Sequence, residues 1–159
     1  MKVKFKVLVV DDDYLIRFML NRYLQQEGLT VSLAESGEEA IELMEEDHFD
    51  MVITDMEMGL VNGLDVIRYI RKHKDDVVIV MITGRDSHKL KEEAFKAGAD
   101  DFLLKPFNLS RLLRCLWNRD SSQAYQSTIG NLPSAVLTAH HDSKFTDAVE
   151  PAKLRLDKA

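Results

Sequence analysis

A chain of 159 residues is long enough for one domain with a buried core and a short extension. Its apolar fraction of 45% and charged fraction of 30% are those of an ordinary soluble protein, and its N-terminal apolar run is too short for a signal peptide or a membrane span. A net charge of -6 argues against direct nucleic-acid binding, and a single cysteine excludes an internal disulfide framework. We therefore expect a cytoplasmic protein without a membrane partner.

The first predicted strand covers residues 6–10 and ends at Asp11-Asp12-Asp13. Asp12 or Asp13 can cap the helix that follows, which we predict over residues 14–27. Helical spacing places four side chains on one face of it: Leu15, Phe18, Met19 and Arg22. A second strand over residues 30–34 precedes a capping-box pattern, Ser36 with Glu39, that marks the start of a second helix.

The third predicted strand, Met51-Val52-Ile53-Thr54-Asp55, is an apolar run that ends in one carboxylate. A helix over 63–70, a strand over 78–82 that stops at Thr83, and a polar helix over 87–97 come next. The last strand, 102–104, stops at Lys105, and the last helix carries leucines at 109, 112, 113 and 116. Strands that alternate with helices through short connections predict a parallel sheet with helices on both faces.

Chemically useful side chains follow four of the five predicted strands: Asp11 and Asp12, Asp55, Thr83, and Lys105. Because open parallel sheets hold ligands at the carboxyl ends of their strands, we expect these groups to converge at one edge. Two carboxylates about 4 Å apart repel by roughly 4 kcal/mol at an effective dielectric of 20, so a cation must neutralise them. An oxygen-rich site of this kind suits Mg²⁺.

Four motifs in order carry a resemblance to a known family: Val9-Val10-Asp11-Asp12, Ile53-Thr54-Asp55, Met81-Ile82-Thr83-Gly84 and Leu104-Lys105-Pro106-Phe107. Over residues 4–119 the chain resembles the receiver domain of bacterial two-component response regulators, of the stand-alone type. The resemblance implies a flavodoxin-like, doubly wound sheet of five parallel strands in the order 2-1-3-4-5 with five helices. It also implies a receiver domain over 1–119, which leaves 120–159 as a weakly structured or partner-dependent tail.

The resemblance implies the reaction as well. Asp55 would accept a phosphoryl group from a phosphohistidine on a sensor histidine kinase or phosphotransfer protein. Mg²⁺ would be held by Asp11, Asp12 and Asp55, together with the main-chain carbonyl of Glu57. The protein would catalyse only its own phosphorylation and dephosphorylation, so it would not be a metabolic enzyme.

The same resemblance implies a switch. Lys105 and Thr83 would bind the phosphoryl group, the Lys105-Pro106 bond would be cis and aim the lysine, and Thr83 would move together with Phe102. That movement would alter the face made by the fourth helix, fifth strand and fifth helix. This face would bind a downstream protein or a second copy of the chain, rather than nucleic acid.

The loop after Asp55 departs from the family pattern. Gly59 stands where proline is usual, which frees the loop. Glu57 and Arg85 have opposite charges at two positions that, by the resemblance, influence the lifetime of the phosphoryl group. We predict that they form an ion pair across the mouth of the site and shield the acyl phosphate from water.

Two other functions fit parts of the sequence. Asp11-x-Asp13 resembles the opening motif of haloacid-dehalogenase-type phosphohydrolases, although Leu15 departs from that motif and the chain lacks room for a cap domain. A receiver-like scaffold that no longer takes phosphate is the other alternative. We expect Asp13 to be only a helix cap and Cys115 to pack in the core. We expect no metal at residues 140 and 141, because adjacent histidine side chains diverge.

Overall fold

Five strands and five helices alternate in the computed structural model, which describes residues 5–74 and 76–117. The strands are β1 (Lys6–Val10), β2 (Thr30–Ala34), β3 (Met51–Asp55), β4 (Val78–Thr83) and β5 (Asp101–Leu104). The helices are α1 (Tyr14–Gln26), α2 (Gly37–Glu46), α3 (Gly63–His73), α4 (His88–Ala97) and α5 (Leu109–Trp117). All strand pairs are parallel, in the order β2-β1-β3-β4-β5, which confirms the predicted doubly wound topology.

The sheet separates two hydrophobic cores, because successive side chains of a strand point to opposite faces. In β1, Val7 and Val9 belong to the core beneath α1 and α5. Leu8 and Val10 belong to the core beneath α2, α3 and α4. Every residue of β3 and β4 is buried, as expected of central strands covered by helices on both faces. The buried strands end together at one edge, and this edge positions the site.

The face of α1 that carries Leu15, Phe18 and Met19 does not pack into the core. Leu15 and Phe18 are 70% and 47% exposed, and Met19 is 40% exposed, whereas the buried residues of α1 are Leu20 and Leu24. Apolar residues occupy two faces of this helix, so spacing alone does not decide which face meets the sheet. The side chains of Tyr14, Leu15, Phe18 and Met19, here called the α1 patch, are left in contact with solvent.

Local hydrogen bonds stabilise the starts of α1, α2 and α3. Asp13 caps α1, as predicted, by accepting from the Leu15 amide at 2.8 Å. Ser36 caps α2, but the Glu39 carboxylate reaches the Glu35 amide instead of closing the predicted reciprocal bond. Helix α3 begins with a complete capping box formed by Asn62 and Asp65, which was not among the caps predicted from the sequence.

Arg71 joins the C-terminal end of α3 to the neighbouring elements. Its guanidinium donates to the carbonyl oxygens of Gly98 and Val77 at 2.8 and 2.7 Å, and it pairs with Asp100 at 2.8 Å. Gly98 ends α4 with a φ of 114°, and a Cβ there would lie 2.5 Å from the Arg71 Cγ. Helix α3 extends to His73, beyond the predicted end at Ile70. The basic residues of its last turn interact favourably with the helix dipole.

The predicted tail over 120–159, including His140 and His141, lies outside the described residues. Across residues 5–74 and 76–117, no helix is long and apolar enough to span a membrane. Cys115 is partly buried and packs against the core beneath α1 and α5, and its thiol lies 3.1 Å from an Asp101 carboxylate oxygen.

Candidate functional site

Three carboxylates converge at the C-terminal edge of the sheet. Asp11 and Asp12 follow β1, Asp55 ends the adjacent strand β3, and oxygens of all three lie within 4.8 Å of one another. Asp11 and Asp55 are buried at 2% and 7% exposure, whereas Asp12 is exposed. This set of oxygen donors fits Mg²⁺, because a hard cation prefers carboxylate ligands and one open side leaves room for water.

Lys105 reaches into the cluster from the loop after β5. Its Nζ lies 2.8 Å from an Asp11 oxygen and 2.9 Å from an Asp55 oxygen, and its side chain is 24% exposed. The Lys105-Pro106 peptide bond is cis, as the resemblance implied. The Lys105 amide also donates to the Thr83 carbonyl at 2.8 Å, which ties this loop to β4. One lysine thus faces three carboxylates, and the site keeps an excess of negative charge.

The buried charges shift each other's protonation. Burial raises the pKa of the Asp55 carboxyl, the contacts with Lys105 oppose this rise, and the nearby Asp11 carboxylate adds to it. Burial by itself lowers the pKa of Lys105, but its bonds to Asp11 and Asp55 outweigh that effect and raise the pKa overall. Lys105 is therefore an ammonium ion at neutral pH, and its charge is directed at the carboxylates.

The Asp55 carboxylate is held at both oxygens. One oxygen contacts Lys105, and the other accepts the Glu57 amide at 3.1 Å. Thr83 lies at the end of the neighbouring strand, one residue beyond the register partner of Asp55, and is 1% exposed. Its hydroxyl oxygen accepts the Arg85 amide at 3.1 Å, so a hydroxyl group is also available at this edge.

Glu57 and Arg85 form the predicted ion pair. The Glu57 Oε1 and the Arg85 Nη1 lie 2.8 Å apart, with side chains 61% and 67% exposed. The Glu57 amide also donates to the Asp55 carboxylate, and the Arg85 amide donates to the Thr83 hydroxyl oxygen. The pair therefore bridges the loops after β3 and β4 on the solvent side of the site. Such an exposed pair adds at most about 1 kcal/mol to stability, so any larger role must be kinetic.

Phe102 and Gly59, both singled out in the sequence, lie in a buried and an open environment respectively. Phe102 is 6% exposed and packs in the core beneath α2, α3 and α4. Gly59 has a φ of 35° and open space around it, and the following Leu60 is 94% exposed. A groove of about 510 Å³ lies between α4, β5 and α5, and Lys91, Phe102 and Arg111 are among its lining residues.

The phosphohydrolase alternative needs Asp13 in the same site as Asp11. Instead, the Asp13 carboxylate is occupied by the Leu15 amide and is not among the three clustered acids. Its own amide donates to an Asp11 oxygen at 2.9 Å, so Asp13 helps to orient Asp11 through the backbone. The geometry therefore favours the helix-cap role predicted for Asp13.

Two features beside this site were not predicted from the sequence. Arg17 contacts the main chain of the acidic loop, and the α1 patch begins directly after that loop. The pairing of tyrosine and phenylalanine one turn apart in Tyr14 and Phe18 was the available signal for the patch, because adjacent aromatic residues on an exposed helix face mark interaction surfaces.

Comparisons with known proteins agree on one family. Residues 7–116 match the family described as the response regulator receiver domain. The response regulator MprA of Mycolicibacterium vanbaalenii is 44% identical over 108 residues, which cover 68% of this chain and 47% of that protein. The chain thus spans about half the length of such relatives.

Solved structures show the same relationship. A Burkholderia pseudomallei response regulator with a phosphorylated aspartic acid, calcium ion and citrate has a TM-score of 0.69 and 29% identity, covering 80% of this chain and 75% of that one. A chain in the co-crystal structure of the Saccharomyces cerevisiae histidine phosphotransfer signaling protein Ypd1 and the receiver domain of its downstream response regulator Ssk1 has a TM-score of 0.64. It is 26% identical, covering 69% of this chain and 83% of that one. The chain described here belongs to the response regulator receiver domain family.

Proposed function

We propose that this protein is a phosphorylation-controlled signalling switch in which Asp55 accepts a phosphoryl group from a phosphohistidine. The convergence of Asp11, Asp12 and Asp55 with the Lys105 ammonium at one sheet edge carries this proposal. The phosphorylated aspartic acid of the Burkholderia pseudomallei neighbour supports the acceptor role. The coarser conclusion, a signalling domain rather than a metabolic enzyme, follows from family membership.

The transfer is an in-line displacement at phosphorus. An Asp55 oxygen forms the new O–P bond, the N–P bond of phosphohistidine breaks, and its electron pair returns to the imidazole. Lys105, already within 2.9 Å of Asp55, then follows the charge onto the phosphoryl oxygens, and the Thr83 hydroxyl donates to one of them. Mg²⁺, held by Asp11, Asp12, Asp55 and the Glu57 carbonyl, would neutralise the oxygens during transfer.

The α1 patch is our proposed docking surface for the phosphohistidine donor. Tyr14, Leu15, Phe18 and Met19 form an exposed apolar surface in the first turns after the acidic loop, and Tyr14 stacks on Phe18 with ring centroids 6.2 Å apart. Exposed aromatic residues of this kind are typical anchors of protein interfaces. The complex of the Ssk1 receiver domain with a histidine phosphotransfer protein supports a donor of that class, a sensor kinase or phosphotransfer protein.

Docking and chemistry are separable by experiment. Phe18→Ala is expected to slow transfer from a phosphorylated histidine phosphotransfer protein about tenfold, because an interface aromatic is worth more than 1 kcal/mol. The same variant should react with acetyl phosphate at the wild-type rate. Equal slowing with both donors would place Phe18 in the fold or the chemistry instead of the interface.

The Glu57–Arg85 ion pair is our proposed control on phosphoryl lifetime. It lies over the loops that carry the backbone donors to Asp55 and Thr83, where it limits the approach of water to the acyl phosphate. The variant Glu57→Ala with Arg85→Ala should therefore lose its phosphoryl group faster than wild type. Unchanged decay of the phosphorylated form, followed by mass spectrometry, would refute this role.

The output surface is proposed to be the face of α4, β5 and α5. The groove there is lined partly by Phe102, so the position that Thr83 and Phe102 take in the phosphorylated form sets the shape of this groove. Phe102 already lies inward, so phosphorylation would stabilise this arrangement more than it would create it. The partner is a downstream protein or a second copy, and the net charge of -6 disfavours nucleic acid.

The decisive test is phosphorylation itself. Wild type incubated with Mg²⁺ and acetyl phosphate should gain the mass of one phosphoryl group, and Asp55→Asn should gain none. Absence of the gain in wild type would favour the scaffold alternative. Sustained turnover of small phosphoesters, instead of one slow cycle, would favour the phosphohydrolase.

A further inference from the structure

Arg17 makes an unusual pair of contacts with the acidic loop. Its Nη1 donates to the carbonyl oxygens of Asp11 at 2.7 Å and of Asp12 at 3.1 Å. Only 13% of the side chain is exposed, and Nη2 lies 3.6 Å from the Glu35 carboxylate. The guanidinium also lies 6.0 Å from the centroid of the Tyr14 ring. Contacts with Glu35 and the Tyr14 ring therefore hold Arg17 in place while its guanidinium binds the main chain of the loop.

These contacts matter most for Asp12. Asp11 is oriented by the Lys105 ammonium and by the Asp13 amide. In the part of the chain that the structure describes, no hydrogen bond or ion pair reaches the Asp12 carboxylate. Its position therefore depends on its own main chain, and the Arg17 bond to the Asp12 carbonyl fixes that main chain.

We infer that Arg17 is a positioning residue for the metal site: its grip on the Asp11 and Asp12 carbonyls holds both carboxylates toward Asp55. The inference rests on the proposed Mg²⁺ site and adds a residue that is not a ligand. The guanidinium bonds the carbonyls and leaves the carboxylates free, so it does not compete with the cation for the same oxygens. A fixed loop binds the cation without first losing conformational entropy.

Electrostatics alone predict the opposite effect, which makes the inference testable by its sign. Removing a positive charge beside three carboxylates increases the local negative potential and should tighten Mg²⁺ binding. Removing a positioning contact should weaken it, by about tenfold, the lower end of the range for groups that orient metal ligands. The measured direction of change therefore separates the two effects.

The experiment is calorimetric titration of the full chain with Mg²⁺, for wild type, Arg17→Gln and Arg17→Lys. Arg17→Gln should raise the dissociation constant about tenfold. Arg17→Lys should lie between Arg17→Gln and wild type, because lysine keeps the charge and reaches a carbonyl but lacks the planar guanidinium. The matched control is Arg22→Gln, which removes the same charge from the same helix at a residue that lies over Phe18 and should bind Mg²⁺ as wild type does.

A second readout distinguishes positioning from general destabilisation. With acetyl phosphate, Arg17→Gln should need more Mg²⁺ for half-maximal phosphorylation yet approach the wild-type rate when Mg²⁺ is saturating. An unchanged or lower dissociation constant in Arg17→Gln, while wild type binds Mg²⁺, would overturn the inference and leave the proposed function intact. If Arg17→Gln does not fold, an unchanged or lower dissociation constant in Arg17→Lys would overturn the inference in the same way. Failure of wild type to bind Mg²⁺ would overturn both proposals.

Discussion

Replacing Lys105 by methionine tests the electrostatics of the site directly. Methionine keeps most of the apolar stem and removes the ammonium that contacts Asp11 and Asp55 at 2.8 and 2.9 Å. Hydrogen bonds to charged groups contribute about 1.5–3 kcal/mol each, and the 24% exposure of the lysine side chain reduces this through solvent screening. Without added metal at about pH 7, we expect Lys105→Met to lower the free energy of unfolding by about 2–3 kcal/mol.

The loss should depend on pH with a defined sign. The pKa of Lys105 is raised above 10.5, so its stabilisation is complete at neutral pH and is lost only as pH rises through the folded-state value. The pKa of Asp55 is raised above 3.8, so its ionisation disfavours the fold as pH rises through that window. Removing the lysine raises that pKa further. The destabilisation should therefore be smaller at an acidic pH, at which the Asp55 carboxyl takes up a proton, than at about pH 7.

Urea unfolding followed by circular dichroism, with a chelator present, measures the loss in unfolding free energy at each pH. The matched background is Asp55→Asn, in which Lys105→Met should cost at least about 1 kcal/mol less, since one of the two partners is already neutral. An equal loss at both pH values, or the same loss in the Asp55→Asn background, would refute the assignment of this energy to the lysine–carboxylate contacts.

Three further predictions concern the fold and its surfaces. Gly98→Ala should cost about 2 kcal/mol in urea unfolding, because its φ is 114° and the new Cβ would lie 2.5 Å from the Arg71 Cγ; Gly84→Ala, in open space, should be near neutral. Phe18→Ala should change the free energy of unfolding by no more than about 0.5 kcal/mol. A loss of about 2 kcal/mol or more would show that Phe18 packs in the core. A chain that ends at Arg119 should still be phosphorylated by acetyl phosphate, as mass spectrometry would show, and loss of phosphorylation would make the tail part of the fold.

The sheet and the site edge were predictable because their signals are local. A buried parallel strand needs a continuous apolar run, and the runs before Asp11, Asp55 and Thr83 are short and clearly bounded. Parallel topology then brings the strand ends together, so the convergence of the acids with Lys105 follows from the sequence pattern. The ion pair between Glu57 and Arg85 was accessible in the same way, from opposite charges at two adjacent strand ends.

Other features are decided only by tertiary contacts. Helix α1 has apolar residues on two faces, and the packing of Leu20 and Leu24 against the sheet leaves Phe18 in solvent. Arg71 could have been any surface arginine, yet the approach of α4 and β4 surrounds its guanidinium with carbonyl oxygens.

Arg17 shows the same division between sequence and structure. A helical arginine six residues after Asp11 carries no motif, and its role exists only because α1 folds back over the carbonyl groups at the end of β1. Sequence by itself determined which chemical groups reach the edge of the sheet, because each strand ends where its apolar run gives way to polar residues. Tertiary structure decided how those groups are held and which apolar face stays exposed, since both depend on contacts between residues that no local pattern links.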